Sequence, residues 1–164
     1  MQSIDSAKEL IVRLVEHAPQ RALDVPRIRL GFFFANQFAM RDAGGLVTVH
    51  FCVKLPSGVA PESHRELLRE IVTDGGLDRV ARRSTYLALA NRRRYVDVHP
   101  DLDSAIRAAA TKVGSEPLRS LEGEVRGMRS VQRVGAYEAI DFSDDVSDEA
   151  RLRRSRELGK QLGF

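Results

Sequence analysis

The chain has 164 residues, of which 43% are hydrophobic and 30% are charged, and its formal net charge is +3. These values are typical of a soluble globular protein of one domain and exclude a histone-like polycation. No apolar run approaches the ~20 residues of a membrane helix, and the first residues lack the pattern of a signal peptide. Cys52 is the single cysteine, so an internal disulfide and a four-cysteine zinc site are both excluded. We therefore expect a cytoplasmic protein that does not contact a membrane.

The N-terminal segment predicts a helix over residues 3–18. Ser6 and Glu9 stand at the spacing of a capping box, which satisfies free amides at a helix start. Pro19 would end the helix because proline lacks the amide hydrogen that the next turn needs. The apolar residues recur at helical period along one stripe: Ile4, Ala7, Ile11, Leu14, Val15 and Ala18.

Two segments with alternating apolar residues predict a pair of strands. The first covers residues 28–34, and the second, Leu46–Leu55, has the clearest alternation in the chain. Val49 and Phe51 fall on the apolar face of the second strand, which we expect to be buried. The opposite face carries polar residues and a cysteine: Thr48, His50, Cys52 and Lys54. An antiparallel hairpin with a long loop is the simplest pairing of the two strands.

Residues 61–76 predict a second helix, with Pro61 in its first turn and glycines after its end. The following segment, residues 84–95, is ambiguous. We favour a second hairpin made of strands Thr85–Ala90 and Tyr95–His99, with a helical turn at residues 77–83 before it. A single helix over residues 77–93 remains the alternative, because short apolar runs do not settle the period.

The sequence HPDLDSAIRAAATKVG predicts a third helix, with Asp101 or Asp103 as its cap and Gly114 at its end. Alternation is weak after this helix, and Ala136–Phe142 is the best strand candidate. Residues 143–164 predict a final helix whose acidic residues come first and basic residues last, an order that suits the helix dipole. Its apolar stripe is thin, so it should be peripheral or lie at a subunit interface.

This order of elements predicts an α+β fold. We expect a mainly antiparallel sheet of about five strands with helices packed on one face. Residues 1–142 would form a single domain, and residues 143–164 would add the C-terminal helix.

Arginines cluster between the second and third predicted helices, together with two tyrosines. Arginine presents planar, forked donors that suit phosphate and carboxylate, and tyrosines can stack on bases or guanidinium groups. The cluster predicts an anion-binding or nucleic-acid-binding surface. The alternative is a solvated turn whose charges pair with the acidic start of the last helix. The candidate binding residues are Arg82, Arg83, Arg92, Arg93, Arg94 and Tyr95.

The candidate catalytic residues form two pairs. His50 and Cys52 share one face of a predicted strand and could bind a metal or act as base and nucleophile. His99 and Asp97 also alternate on one face, where the carboxylate could orient the ring as a general base. No second close-spaced ligand pair accompanies His50, and no glycine-rich phosphate loop is present. We therefore predict no metal site and no cofactor.

No motif in the chain fixes a reaction. The interpretation that we favour is a non-enzymatic binding module that presents an arginine-rich surface to a polyanion such as nucleic acid, or to an acidic protein. One alternative is an assembly or adaptor protein that acts through an apolar surface near Phe38 and Met40. Its partner could be a second copy of the chain, which would make it a homo-oligomer. A second alternative is a small enzyme that uses His99 with Asp97.

Overall fold

The computed structural model describes residues 2–146, 156–157 and 159–163 of the chain. In this part of the chain, the helices combine with two small antiparallel sheets, which makes the architecture α+β. In chain order the elements are α1 (Gln2–His17), β1 (Ala22–Asp24), α2 (Val25–Asp42), β2 (Cys52–Leu55), β3 (Gly58–Pro61), α3 (His64–Asp74), β4 (Leu77–Arg79), β5 (Thr85–Ala88), α4 (Pro100–Ser115), α5 (Leu118–Arg126), α6 (Arg129–Gln132) and a 3-10 helix (Phe142–Asp145). None of the described helices is both long enough and apolar enough to cross a bilayer.

The strands are divided between two sheets. The first has the order β1-β5-β4, with every pair antiparallel, and the second is the hairpin β2-β3. The α+β class is therefore confirmed, but the strands do not form the one sheet of about five strands that the sequence predicted.

The segment predicted as the first strand is the central helix, α2. Asp24 caps this helix by accepting a hydrogen bond from the Arg27 amide at 3.0 Å, and Pro26 occupies the first turn. The strand prediction was wrong because residues 30–37 of α2 are buried without interruption and show no exposed polar stripe, while the apolar residues at positions 28, 30, 32 and 34 imitate alternation. Three consecutive aromatic residues of α2 are fully buried: Phe32, Phe33 and Phe34.

Close contacts join α2 to the helices on either side. A Cβ at Gly31 would lie 3.1 Å from both terminal methyl carbons of Leu14, so this glycine allows α1 to approach closely. On the other side, the Arg27 guanidinium donates hydrogen bonds to the carbonyl oxygens of Val113 and Glu116 at the end of α4. These bonds satisfy carbonyls that have no partner inside a helix.

The predicted strand Leu46–Leu55 is shorter than expected, and its faces are reversed. Only Cys52–Leu55 forms a strand, and its partner is β3 rather than residues 28–34. Val49 is 72% exposed and Phe51 is 59% exposed, so the expectation that both are buried was wrong. The polar face points inward instead, and Thr48 is 3% exposed.

Buried polar side chains explain this reversal. The side-chain oxygen of Asn36, on α2, accepts the backbone amide of Val47 at 3.0 Å. The Thr48 hydroxyl lies 2.6 Å from that of Ser6 on α1 and donates to the carbonyl oxygen of Ser3. Because side chains of α1 and α2 capture this segment, its backbone does not need a strand partner.

Strand β5 confirms the predicted strand after residue 84, but its partners differ from the prediction. It pairs with β1 and with β4, which covers part of the segment expected to be a helical turn. Residues 92–99, which include the expected strand Tyr95–His99, form no strand. This part of the chain instead lies along α1, held by a buried carboxylate.

The buried carboxylate belongs to Glu9 of α1, which is 0% exposed. Arg92 donates to both of its oxygens at 2.7 Å, Arg13 donates at 2.6 Å, and the Tyr95 amide donates at 3.0 Å. Burial opposes the ionisation of Glu9, but these hydrogen bonds outweigh it and lower the pKa to about 2. The Arg92 side chain is only 4% exposed and also pairs with Glu16 at 3.0 Å.

A second polar network links the same segment to α3. The Tyr95 hydroxyl donates to Asp74 at 3.0 Å, and Lys8 of α1 also bonds Asp74, at 3.3 Å. Lys8 further pairs with Glu70 at 2.8 Å. These contacts fix the C-terminal end of α3 against α1.

The C-terminal predictions are tested only in part. Ala136–Phe142 does not form a full strand: a single antiparallel bridge joins Ala139 to Val53, and Phe142 begins the 3-10 helix. Half of the predicted helix over residues 143–164 falls on residues 147–155, 158 and 164, which lie outside the described residues. Its place at a subunit interface stays a prediction.

Replacement of Glu9 by glutamine should destabilise the protein strongly. The variant keeps the volume of the side chain but leaves the Arg92 guanidinium buried without its main carboxylate partner. Breaking a buried ion pair in this way costs about 3–5 kcal/mol. The free energy of unfolding, measured by urea denaturation at pH 7, should fall by that amount.

Glu62→Gln is the matched control, because Glu62 is exposed and has no ion pair within the described residues. Acid adds a second measurement. Unfolded Glu9 takes up a proton near its ordinary pKa of 4.5, whereas folded Glu9 stays ionised down to about 2. Wild-type stability should therefore fall as the pH drops through this window, and Glu9→Gln should lack that part of the fall. A Glu9→Gln variant as stable as the control at pH 7 would contradict the assigned role.

Candidate functional site

The contacts of His50 and Cys52 indicate a structural role rather than a catalytic one. The His50 ring lies edge-on to Phe32 with the ring centroids 6.5 Å apart, and its Nε2 lies 2.8 Å from the carbonyl oxygen of Glu62. Cys52 is 2% exposed, and burial raises the pKa of its thiol against the opposing charge of Arg29. Such a thiol is poorly suited to nucleophilic attack, because the thiolate is the reactive form.

His99 and Asp97 are not joined in the structure. His99 is exposed and caps α4: its Nδ1 accepts a hydrogen bond from the Asp101 amide at 3.2 Å. The predicted cap was Asp101 or Asp103, so the helix start was correct but the capping residue was wrong. Asp97 is exposed, and within the described residues no hydrogen bond or ion pair connects it to His99.

Asp103 has a structural role of its own. It pairs with Arg13 at 2.9 Å and with His17 at 3.1 Å, which ties α4 to α1. Burial opposes its ionisation, but hydrogen bonds from Arg13, His17 and Arg107 lower its pKa to about 2.

The predicted arginine cluster is divided by the fold. Arg92 serves the Glu9 ion pair and is buried, and Tyr95 is committed to Asp74 through its hydroxyl and to Glu9 through its amide. Arg93 and Arg94 are exposed. The carboxylates that pair with Arg92 are on α1, not on the last helix as the alternative interpretation expected.

Arg82 and Arg83 lie in the loop between β4 and β5, at the end of the sheet away from Gly75, and both are exposed. Arg82 adopts a left-handed backbone conformation, with φ of 63°. The carbonyl oxygen of Arg83 accepts a hydrogen bond from Nε of Arg79 at 3.1 Å, so the loop adjoins that side chain.

A cleft beside this loop gathers further arginines. It has a volume of about 440 Å³ and lies between α3, the start of α2, and the strands β4 and β5. We call it the arginine cleft and define it by its lining residues: Val25, Arg29, His64, Arg65, Leu68, Arg69, Val72, Thr73, Arg79 and Tyr86.

Two simple periodicities build the cleft. On α3, Arg65, Leu68, Arg69 and Val72 follow the helical spacing i, i+3, i+4, i+7 and so share one stripe. On the sheet, Arg79 of β4 is directly opposite Tyr86 of β5. Opposite residues of antiparallel strands point to the same face, so both side chains face α3.

The cleft is cationic and contains no acid among its lining residues. Within the described residues, none of its four arginines forms an ion pair: Arg29, Arg65, Arg69 and Arg79. Burial lowers the pKa of His64, and the charges of Arg29 and Arg65 lower it further against the influence of Glu66. The lowered pKa of the imidazole therefore reflects, in addition to burial, the positive charge of the arginines in the cleft.

Sequence reasoning missed most of this site. Of the residues named for anion binding, Arg82 and Arg83 adjoin the cleft, whereas its α3 arginines were not named. The signal was available: residues 61–76 were predicted as a helix, and Arg65 and Arg69 alternate with Leu68 and Val72 along one stripe. The contribution of Arg29 was hidden because its segment was interpreted as a strand.

A second cavity of about 400 Å³ is lined mainly by apolar side chains. It includes Met40 of α2 and the exposed residues Val49 and Phe51, with Ile140 and Phe142 opposite. Phe38 lies on α2 but packs against Phe34, with the ring centroids 5.7 Å apart. The part of the chain that the structure describes has no group of three or more histidine, cysteine, aspartate or glutamate side chains that could hold a metal ion.

Fold and site together define a mixed α+β protein with an acid-free, arginine-lined cleft. No protein-family model, no curated protein and no solved structure matches the chain.

Native Cys52 should react very slowly with an aromatic disulfide thiol reagent at pH 8, because the thiol is buried and its pKa is raised. The absorbance of the released thiolate measures the rate. In denaturant the same protein should release one equivalent rapidly, which serves as the control. A fast stoichiometric reaction of the native protein would restore Cys52 as a candidate nucleophile.

Proposed function

We propose that this protein is a non-enzymatic binding module that presents the arginine cleft and the adjoining β4–β5 loop to a polyanion, with single-stranded nucleic acid as the favoured class. The observation that carries this proposal is the acid-free lining of the cleft, in which the arginines form no ion pair within the described residues. A cationic concavity with low-dielectric walls focuses its field on anions.

The exposed loop extends the charge beyond the cleft. Arg82 and Arg83 adjoin Arg79, so guanidinium groups continue from the α3 face along the hairpin. Several phosphates in series are the ligand that best matches such a row.

The uncharged part of the cleft favours nucleic acid over an acidic protein. Val25 and Val72 are only partly buried and supply aliphatic surface among the arginines, whereas Leu68 and Tyr86 are 3% and 7% exposed. Single-stranded nucleic acids offer unpaired bases to such surface, in addition to phosphates. An acidic peptide offers carboxylates but fewer planar apolar groups.

The Arg65→Ala/Arg69→Ala double variant should weaken the binding of a single-stranded DNA oligonucleotide by about tenfold or more, since a hydrogen bond to a charged group contributes about 1.5–3 kcal/mol. Fluorescence anisotropy over a range of salt concentrations measures this. The slope of log affinity against log salt should decrease in magnitude by about 1.4 for two lost phosphate contacts.

Arg93→Ala/Arg94→Ala is the matched control, because it removes the same charge from exposed positions outside the cleft. If both double variants lose affinity equally, net charge rather than the cleft governs binding. If the wild-type protein binds no oligonucleotide at low salt but binds an acidic peptide, the partner is a protein.

A second candidate function is assembly, and the exposed apolar residues favour it. We propose the surface around Val49 and Phe51 as a contact with a second copy of the chain, adjoining Met40 of the predicted apolar surface. Contiguous exposed apolar side chains of this kind are typical of protein-binding surfaces.

Phe51→Ser should shift the protein from dimer to monomer, because it removes apolar area from that contact. Molar mass from light scattering, measured over a concentration series, reports the change. Tyr137→Ser, which alters another exposed aromatic residue, is the comparison and should leave the mass unchanged. A wild-type protein that stays monomeric at the highest concentration would exclude this function.

A further inference from the structure

The arginine cleft has the form of a ligand site as well as that of a charged surface. Its volume of about 440 Å³ falls within the range of small-molecule sites, roughly 300–1,000 Å³. Its walls come from α2, α3 and the β4–β5 pair, so a bound group is surrounded by several elements rather than laid on one.

Arg29 provides a fixed cation at one wall. Its Nε donates to the carbonyl oxygen of Val59 at 3.1 Å, and its Nη2 donates to the Ser57 hydroxyl at 3.4 Å. A guanidinium has five N–H donors, so further donors remain for a ligand. Arg29 lies between the cleft and a neighbouring cavity, which it also lines and which contains Glu122, the carboxylate that acts on Arg29.

Tyr86 provides an unused donor inside the cleft. The residue is only 7% exposed, and its hydroxyl has no hydrogen-bond partner among the described residues. Because no buried side-chain oxygen or nitrogen in that part of the chain lacks a partner, this hydroxyl must reach solvent, and Tyr86 lines the cleft. A ligand oxygen in the cleft would accept a hydrogen bond from it.

The apolar part of the lining suits a ligand that is larger than an inorganic ion. Val25 and Val72 are partly buried and contribute aliphatic surface beside the guanidinium groups. Such surface suits an organic group attached directly to the anion, such as the sugar and base of a nucleotide.

We propose that the arginine cleft binds a terminal phosphomonoester, with Arg29 and Tyr86 donating to the phosphate and the attached nucleoside packing on Val25 and Val72. This inference rests on the proposed function, since it names the group of the polyanion that the cleft itself recognises. A free nucleotide and the phosphorylated end of a strand carry this same group.

Charge favours a monoester over the diesters within a strand. A phosphomonoester carries about −1.5 to −2 at pH 7 and exposes three acceptor oxygens, whereas an internal diester carries a single charge. Cationic side chains that converge on one concavity match concentrated charge, and the loop with Arg82 and Arg83 remains for the phosphates that follow along the strand.

Two oligonucleotides test the inference. One carries a 5′-phosphate. The other is one nucleotide longer with a 5′-hydroxyl, so that both have the same number of phosphates. The 5′-phosphorylated strand should bind about tenfold more tightly, which is the effect of one additional charge-assisted hydrogen bond. A 3′-phosphorylated strand and a nucleoside 5′-monophosphate, used as a competitor, distinguish the sources of the group.

Tyr86→Phe removes only the hydroxyl and should abolish most of that preference, because the 5′-phosphate then loses one of its donors. Tyr137→Phe is the matched control, because Tyr137 is 72% exposed and does not line the cleft. Both variants keep the aromatic ring, so their folding can be compared directly by thermal denaturation.

The outcomes separate the two proposals. Equal, salt-sensitive binding of the two strands would overturn the phosphomonoester inference and leave the proposed function intact. Binding of the nucleoside monophosphate without binding of any strand would support the inference for free nucleotides and overturn the polyanion function. A preference that survives in Tyr86→Phe would overturn the assigned role of Tyr86.

Discussion

The buried carboxylate of Glu9 is the constraint on which the other parts of the structure depend. Removing a charge from water costs several kcal/mol unless every lone pair is satisfied, and Arg92, Arg13 and the Tyr95 amide satisfy those of Glu9. This requirement positions the strandless segment 92–99 on α1. Tyr95 then reaches Asp74 at the end of α3. Through Tyr95, the buried carboxylate of Glu9 therefore helps to fix the orientation of α3, the helix that carries Arg65 and Arg69.

The chain uses arginine in two opposite ways. Arg92 is saturated by carboxylates and contributes to folding, so it offers little to a ligand. The cleft arginines have no such partner within the described residues, and their mutual repulsion is tolerated because Arg65, Arg69 and Arg79 reach water. An array of like charges held together by the fold is costly without an anion, and bound anions would relieve that cost.

Elements with complete local signals could be predicted from sequence, and elements set by tertiary contacts could not. The apolar stripe of α1 and the proline that begins α4 are local signals, so both helices were predicted, but α1 begins at Gln2 and the predicted capping box of Ser6 and Glu9 does not form. Helix α2 was interpreted as a strand because its middle, residues 30–37, is buried without an exposed polar stripe, although Asp24 and Pro26 marked a helix start. The reversal at residues 46–51 depends on Asn36 and Thr48, whose partners are distant in sequence.

The candidate site was hard to predict for a related reason. Local charge density pointed to the run at residues 92–94, but density does not reveal which guanidinium meets a buried acid. The cleft instead combines a helical stripe, represented by Arg65, with a cross-strand pair, Arg79 and Tyr86. The helical stripe follows from the sequence alone, whereas the cross-strand pair requires the β4–β5 register. A shift of one residue in that register would turn the side chains of one strand to the opposite face of the sheet. A cationic site built from several elements can therefore be identified only once the register is known. Its arginines differ from Arg92 in that they have no carboxylate partner within the described residues.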